Sequence, residues 1–313
     1  MSNRRPMFID TDTASDDAVA LAIAFRASEI DVVGVSIVAG NVPLDMAVQN
    51  ALYTREICGR DEVPVYVGAD RPLVLPLGTA QNVHGRDGMG DIGLDLNGRV
   101  PNPGHGVDAL IAASHEYAGD LELVTLGPLT NLALALRRDP GLVNRLKRVV
   151  IMGAVADHIG NVTPVAEFNM WVDPHAVHAV LTSGLALEFV GWDISRRDAV
   201  VLPDEADRLR AIGTPLAEFC VDIQATVAQF CATETKLAGF DLPDPITMAY
   251  AIDDSIALET QELSLRCEIE SELTRGMVVM DVLGFTRAAP NATVVMRADH
   301  GRFMERLEAT LRS

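Results

Sequence analysis

Four aspartates lie within eight residues near the start of the chain: Asp10, Asp12, Asp16 and Asp17. The first two follow a short apolar segment, and the other two open a stretch whose apolar residues recur at helical spacing. Carboxylates gathered at the end of a buried strand repel one another unless a cation, protons or basic side chains compensate their charge. No Lys or Arg lies between Arg5 and Arg26. The segment therefore predicts a binding site for a divalent cation.

A helix start is the competing interpretation of this cluster. Ser15 is suited to cap the helix, and the positive end of a helix dipole favours acidic residues such as Asp16 and Asp17 in the first turn. That interpretation leaves Asp10 and Asp12 unexplained. Because oxygen ligands without a nearby His or Cys suit hard cations, these residue types indicate Ca²⁺ or Mg²⁺ rather than zinc, and they leave the choice between the two open.

The elements that must position these carboxylates alternate along the chain between β-branched runs and helical stretches. Strands are predicted at residues 7–9, 30–39, 63–67, 121–126, 149–153 and 187–190. Helices are predicted at residues 17–27, 44–58, 107–117, 129–138 and 174–181. This alternation predicts an α/β fold: a doubly wound, mostly parallel sheet with helices on both faces.

The second half of the chain is predicted to differ from this pattern. Residues 203–253 are helix-rich, residues 263–296 resemble antiparallel strands, and residues 302–312 resemble a terminal helix. Residues 68–105 show little periodicity, and a loop of that length usually has a function. No repeat or linker composition divides the chain, so we expect a single domain over residues 1–313. Ligands of open parallel sheets bind beyond the carboxyl ends of the strands, where the polar residues occur.

Composition narrows the possible partners. The net charge is −19, which disfavours nucleic-acid backbones and anionic membranes and favours a neutral small molecule or a cation. No apolar stretch approaches the roughly 20 residues of a membrane helix, and no signal peptide is apparent, so a cytoplasmic protein is expected. The four cysteines lack C-x-x-C spacing and are expected to be reduced and structural.

The acidic segment also resembles a known signature. Asp10-Thr11-Asp12 followed by Asp16-Asp17-Ala18 is similar to the amino-terminal motif of the nucleoside hydrolase family, the inosine-uridine-preferring enzymes and their relatives. Further motifs of that family follow in order: Ala39-Gly40-Asn41, His84-Gly85, Leu126-Gly127-Pro128-Leu129-Thr130-Asn131, Met152-Gly153, Ala166-Glu167-Phe168-Asn169, Asp173-Pro174 and Asp244-Pro245. The resemblance spans most of the chain. It implies hydrolysis of the N-glycosidic bond of a ribonucleoside to ribose and free base.

The resemblance implies a calcium site. In it, Asp12, Asp17 and Asp244 bind Ca²⁺ through their carboxylates, and the main-chain carbonyl of Leu126 is a further ligand, within the 6–8 oxygens that Ca²⁺ takes. Asp12 is also the implied catalytic residue, the general base that removes a proton from a water bound to the cation. Asp10 would support these ligands without binding the cation itself.

The resemblance also implies a ribose site. The side chains expected to hold or line the substrate are Asp16, Asn41, His84, Met152, Glu167, Asn169 and Asp244. Acidic and amide oxygens around the sugar would stabilise the positive charge left when the base departs. Structural roles stay open for three of them: Asn41 in a turn, His84 in solvent, and Met152 in the core. Family members are commonly dimers or tetramers, so a homo-oligomer is expected.

Two positions depart from the family pattern. Thr13-Ala14 stands where the family usually has Pro-Gly, and Ala fits there only if its φ is negative. Pro243 stands where many members have a His credited with protonating the leaving base and another subgroup has a Trp. Proline can replace neither residue. Base activation must then come from elsewhere, and the candidates are His84, His158, Gln224, Phe230 and Lys236.

Two other functions remain as alternatives. Phe8-Ile9-Asp10-Thr11-Asp12-Thr13 fits the D-x-D-x-T motif of haloacid-dehalogenase-like phosphatases, with Asp10 as nucleophile. That interpretation leaves the Asp16-Asp17 pair and the later motifs unexplained. The other alternative is a degenerate, non-catalytic protein that binds a nucleoside or ribose, which Pro243 favours.

Overall fold

The computed structural model describes residues 4–313, and its central feature is a nine-stranded sheet. The strands of the described chain are, in order, β1 (Arg5–Thr11), β2 (Ile30–Ile37), β3 (Val65–Val67), β4 (Asn102–His105), β5 (Leu121–Thr125), β6 (Leu146–Met152), β7 (Leu187–Val190), β8 (Val200–Val201), β9 (Phe240–Asp241), β10 (Ala257–Leu263), β11 (Leu265–Cys267), β12 (Val278–Met280) and β13 (Ala292–Ala298). Strands β8 with β9 and β11 with β12 form two separate two-stranded sheets. The sheet has the order β10-β13-β7-β6-β5-β1-β2-β3-β4. Its pairs are parallel except for β10 with β13.

Helices connect the strands and cover the sheet. They are α1 (Ser15–Arg26), α2 (Leu44–Ile57), α3 (Gln81–His84), α4 (Gly106–Glu116), α5 (Thr130–Arg138), α6 (Phe168–Val172), α7 (Pro174–Leu181), α8 (Trp192–Asp198), α9 (Pro203–Arg210), α10 (Pro215–Asp222), α11 (Ala225–Phe230), α12 (Pro243–Ile252) and α13 (His300–Arg312). A π-helical turn, Cys231–Thr235, follows α11. Short 3₁₀ turns occupy Pro140–Asn144 and Asp254–Ile256.

Alternating side chains of the buried strands supply two apolar cores, one on each face of the sheet. In β1, Met7 and Ile9 pack into one core and Phe8 into the other, as expected from the two-residue period of a strand. Helices α1, α2, α12 and α13 contribute to the first core, and α4, α5 and α7 to the second. The predicted doubly wound, mostly parallel sheet is therefore confirmed.

The structure differs from the sequence-based expectations in two segments. The aperiodic stretch 68–105 contains the short elements α3 and β4, which fall below the length at which periodicity is recognisable. In the segment 263–296, β11 and β12 form the expected antiparallel pair, but β13 pairs in parallel with β7 as well as antiparallel with β10.

The four cysteines are free, as predicted, and all four are buried. Among the described helices, none has the length and apolar character needed to span a membrane.

Candidate active site

Asp12 occupies the first position beyond the strand end, just after β1, and is fully buried. Its Oδ2 accepts a hydrogen bond of 2.6 Å from the main-chain N–H of Asn41, whereas its Oδ1 is buried without a hydrogen-bond partner. Glycines flank this carboxylate. A Cβ atom at Gly127 would lie 2.6 Å from Oδ1, and one at Gly40 would overlap Oδ2 more severely. The segments after β2 and β5 must therefore lack side chains at these two positions.

Asp17 is held in the first turn of α1. Its carboxylate accepts hydrogen bonds from the Thr11 hydroxyl at 2.5 Å and from the Ala14 N–H at 2.9 Å. Ala14 precedes the helix with φ −116°, so Ala fits where the family usually has Gly, as the sequence required. The prediction that Ser15 caps α1 is wrong. Ala14 occupies the N-cap position, where the Asp17 carboxylate accepts from its N–H, and Ser15 lies within the helix with its Oγ 2.9 Å from Nδ1 of His84.

Two helices bring the remaining carboxylates together. Asp16 and Asp17 open α1, Asp244 lies in the first turn of α12, and these helices pack against each other. One carboxylate oxygen from each of the three lies within 4.8 Å of the others, and all three side chains are buried. Acidic side chains from two segments more than 200 residues apart in the sequence thus share one small volume.

Ionisation of these clustered carboxylates is unfavourable in the protein without a bound cation. Burial raises the pKa of Asp12 and Asp244 well above the usual range, and neighbouring carboxylates, foremost Asp17, raise both further. Burial likewise raises the pKa of Asp16 to about 7 and that of Asp17 to about 6. These shifts mean that the folded chain resists carrying all four charges at once.

No Lys or Arg among residues 4–313 forms an ion pair with these carboxylates, and His84, with Nδ1 3.5 Å from Asp16 Oδ1, is the nearest ionisable base. Burial lowers the pKa of His84 to about 4, so it is neutral at physiological pH. Oδ1 of Asp12 and Oδ1 of Asp16 are both buried without hydrogen-bond partners. Orphaned, uncompensated carboxylate oxygens are the donor set that a hard divalent cation takes.

A cavity of ≈ 280 Å³ lies above the carboxylates. The sequence-predicted residues that line it are Asp16, Asn41, His84, Leu126, Met152, Glu167, Asn169 and Asp244. Asp12 and Asp17 do not line the cavity, and both contact Asn41 beneath its wall: Asn41 Nδ2 is 3.3 Å from Asp17 Oδ2. The predicted cation-binding and substrate-binding residues therefore meet at one place in the fold.

Glu167 and Asn169 are fixed by main-chain hydrogen bonds. Glu167 caps α6: its carboxylate accepts from the N–H groups of Asn169 at 2.8 Å and Met170 at 3.2 Å. Burial raises the pKa of Glu167 to about 7 against these bonds. Asn169 Nδ2 donates to the carbonyl of Leu126 at 2.7 Å. The predicted metal-ligand carbonyl of Leu126 is thus oriented by a residue of the predicted ribose site.

Asp10 supports the site from within the sheet. Its Oδ1 accepts hydrogen bonds from the Ser36 hydroxyl and from Asn131 Nδ2, the latter at 2.7 Å. Asn131 also accepts at 2.8 Å from the N–H of Ala69 and so joins three segments at this edge of the sheet. Asp10 does not line the cavity, contrary to what a nucleophile would require.

Of the residues proposed for base activation, some line the cavity and others do not. His84 and Phe230 line the cavity. Gln224 instead donates to the carbonyl of Ser15 at 2.8 Å, Lys236 donates to the carbonyl of Thr233, and His158 is not among the lining residues.

Asp241 and Trp192 line the cavity but were missed from the sequence, and Phe168, which lies in a family motif, was given no role although it also lines the cavity. No family motif marks Asp241 or Trp192. Asp241 comes closest to a detectable signal, because it is an acidic residue in an apolar segment just before the Asp244 motif.

This parallel sheet, with buried uncompensated carboxylates beneath a polar cavity at its carboxyl edge, is the architecture of an α/β hydrolytic enzyme that uses a cation. The family described as inosine-uridine preferring nucleoside hydrolase matches residues 7–305, and the chain belongs to it. It is therefore an enzyme of the nucleoside hydrolase class, and the phosphatase alternative loses its support.

Individual relatives are similar over their full length. The pyrimidine-specific ribonucleoside hydrolase RihA of Salmonella schwarzengrund is 33% identical over 308 residues, 98% of each chain. A plant nucleoside hydrolase has a TM-score of 0.92 at 28% identity, covering 99% of both chains. The purine-preferring ribonucleoside hydrolase of Gardnerella vaginalis has a TM-score of 0.90 at 26% identity, over 98% of this chain and 99% of the other. Relatives named for opposite base preferences are thus similar to this chain.

Proposed function

We propose that the protein hydrolyses the N-glycosidic bond of ribonucleosides with a bound Ca²⁺ and with Asp12 as general base. The observation that carries the proposal is the cluster of Asp16, Asp17 and Asp244: one oxygen of each lies within 4.8 Å of the others, and no Lys or Arg of the described chain pairs with them. Such a cluster is stable only with protons or a cation, and oxygen donors of this kind suit Ca²⁺.

The residues that would hold the cation are Asp12, Asp17, Asp244 and the carbonyl of Leu126. When bound, Ca²⁺ would lower the pKa of a water molecule and orient two ribose hydroxyls. Asp12 would remove a proton from that water, a role that its buried Oδ1 supports because this oxygen has no hydrogen-bond partner. Gly127 leaves room for Oδ1, and Gly40 leaves room for Oδ2.

The polar side chains lining the cavity would bind the ribose. Asp16, Asn41, Glu167 and Asn169 present oxygens and amide groups that match sugar hydroxyls. A substrate without a hydroxyl would leave these buried groups unpaired, so we expect discrimination against deoxyribonucleosides. Carboxylates around the ring would also stabilise the positive charge that develops as the base leaves.

The test measures ribose released by the purified protein with Ca²⁺. Substrates are a panel of ribonucleosides and p-nitrophenyl riboside, whose leaving group departs without protonation. We expect cleavage in wild type, loss on chelation, and a loss of about 10²–10⁴-fold in Asp12→Ala. Glu122→Gln, which alters a buried carboxylate at the other edge of the sheet, is the matched control and should retain activity.

Absence of ribose release from every substrate, in a folded protein that still binds ribose, would contradict the enzymatic proposal and favour a non-catalytic binding protein.

We further expect a single domain and a homo-oligomer, either dimer or tetramer, located in the cytoplasm. Sedimentation of the purified protein tests the oligomeric state.

A further inference from the structure

Asp241 is an acidic side chain in the cavity wall that the proposed mechanism does not use. It ends β9, three residues before Asp244, and is 6% exposed. Its Oδ2 lies 2.9 Å from the indole N–H of Trp192 and 2.8 Å from the Ser195 hydroxyl. Its Oδ1 has the weaker thiol of Cys231 as a neighbour, at 3.5 Å. One carboxyl oxygen is thus anchored by strong donors, whereas the other is held weakly.

Asp241 lines the same cavity as the residues proposed to bind the ribose. A second, more open cavity of ≈ 740 Å³ borders the first. The residues that line both cavities are Asn82, Asn161, Trp192, Phe230 and Thr235. Asp241 accepts a hydrogen bond from Trp192, which lines both cavities, whereas Asp16 and Asp244 belong to the carboxylate cluster. A ribose held at the carboxylates, with its base extending towards the second cavity, would have that base beside Trp192 and Asp241.

A departing nucleobase is a poor leaving group unless it receives a proton. The residue next to Asp244 is Pro243, whose side chain has no proton to give. We propose that Asp241 is the general acid that protonates the leaving base, a proposal that rests on the ribohydrolase function proposed above.

The environment of Asp241 is suited to this task. Burial raises the pKa of its carboxyl group above the usual range, against the hydrogen bonds from Ser195, Cys231 and Trp192. Since Oδ2 is occupied by two donors, Oδ1, beside the Cys231 thiol, is the oxygen that would carry the proton. Asp241 and Cys231 both line the cavity.

Every proton and bond in the proposed hydrolysis is accounted for. As the bond between the anomeric carbon and the base nitrogen breaks, the electron pair stays with the base, and the Asp241 proton moves to it. The water oxygen bonds to the anomeric carbon, and Asp12 takes one of its protons. Solvent then removes the proton from Asp12 and returns one to Asp241. The sum is ribonucleoside plus water giving ribose plus neutral base.

The test compares two leaving groups in the calcium-loaded full chain. Asp241→Asn preserves the shape of the side chain and an acceptor for Trp192 and Ser195, but it removes the acid. We expect kcat/KM for natural ribonucleosides to fall about 10²-fold or more, mainly through kcat. We expect hydrolysis of p-nitrophenyl riboside to change less than about threefold, because nitrophenolate needs no proton.

Asp193→Asn is the matched control. Asp193 is also a buried carboxylate, it accepts from the Ala156 N–H at 2.9 Å, and it does not line the cavity. We expect this variant to affect both substrates equally.

Three outcomes would overturn the inference. The first is a parallel fall for both substrates in Asp241→Asn, which indicates a structural role. The second is a change confined to KM, which indicates base binding alone. The third is wild type that cleaves the nitrophenyl riboside but no natural nucleoside. Failure of wild type on the nitrophenyl riboside would instead contradict the proposed function itself.

Discussion

At the amino-terminal edge of the sheet, buried or half-buried acidic side chains are paired with basic ones, whereas at the carboxyl-terminal edge the buried acidic side chains have no Lys or Arg partner among the described residues. Glu122, near the start of β5, lies 2.7 Å from Arg5 and 2.9 Å from Lys147. Glu188 in β7 lies 3.1 Å from Arg148 and accepts from the Tyr250 hydroxyl at 2.7 Å. These charges are neutralised within the protein.

The carboxyl-terminal edge lacks such matching. In residues 4–313, Asp12, Asp17 and Asp244 form no ion pair with a Lys or Arg, although all three are buried. The same chain therefore balances acidic groups where they are structural and leaves them unbalanced where a ligand is expected. A cost in stability confined to one edge indicates that this edge is adapted to function.

The largest expected effect comes from neutralising one carboxylate at each edge. Asp244→Asn removes a charge from the cluster and should reduce ribohydrolase activity by about 10³-fold or more, since both cation and ribose depend on it. Glu122→Gln should leave activity within about twofold. Initial rates are measured for both variants at saturating Ca²⁺, and equal losses of activity would show that the two edges do not differ in function.

Calcium should stabilise the protein strongly at neutral pH. At a concentration 100 times its Kd, one bound ion contributes about 2.7 kcal/mol, which corresponds to a Tm increase of roughly 5 °C. The increase should be smaller at pH 5, where protons already neutralise the carboxylates. Differential scanning calorimetry with and without Ca²⁺ measures the shift, and an equal shift at both pH values would contradict the cluster as its origin.

The metal-free protein should lose stability as pH rises. The folded-state pKa values of Asp16 and Glu167 are about 7 and that of Asp17 is about 6, above the roughly 4 of an unfolded carboxyl. A raised folded-state pKa means that the stabilising protonation is complete below about 4 and is lost as pH rises through 6 to 7. In chelator, Tm should therefore fall between pH 5 and pH 8. A Tm that rises over this range would be inconsistent with the raised values.

A substitution at the amino-terminal edge should lower the stability of the protein without lowering its activity. Glu122→Gln leaves Arg5 and Lys147 without their acidic partner, but both basic side chains are partly exposed and water can solvate them. We expect a loss of about 1–2 kcal/mol in the free energy of unfolding, below the 3–5 kcal/mol of a fully buried pair. Urea denaturation measures it, and the calcium-induced Tm increase of this variant should equal that of wild type.

The smallest expected effect is that of Tyr250→Phe. This change removes the hydroxyl that donates to Glu188, while Arg148 still pairs with the same carboxylate. A single hydrogen bond contributes about 0.5–1.5 kcal/mol to stability. Thermal denaturation should show that loss with unchanged kcat/KM, and any loss of activity would show that the two edges are coupled.

Local patterns in the sequence were sufficient to predict the fold and the acidic residues of the candidate active site. The apolar run at 30–39 predicted a strand buried on both faces, and β2 occupies residues 30–37 of it. The positions of Asp12, Asp16 and Asp17 followed from their placement after β1, and Asp244 followed from a motif at a helix start. Residues at strand ends and helix starts are predictable because the backbone alone brings them to one edge.

Contacts between distant side chains were not predictable in the same way. Ser15 fits the cap pattern, yet a contact with His84, 69 residues away, decides its role. Asn131 appears in the sequence only as part of a motif, whereas its amide connects Asp10, Ala69 and the carbonyl of Ile37. Asp241 depends on Trp192 and Ser195, which precede it by more than 40 residues. Such pairings depend on tertiary packing, which no local period encodes.

The glycines around Asp12 have a consequence for mutational tolerance. Gly40 and Gly127 carry no chemical group, yet a methyl group at either would occupy the volume of the Asp12 carboxylate. In a saturation mutagenesis screen selected for activity, these two positions should be as intolerant as the aspartate itself. Gly59 and Gly119, where an added methyl group would meet no atom within 4 Å, should accept Asn. The geometry of one buried carboxylate thus restricts two glycines that have no side chain with which to contact the substrate.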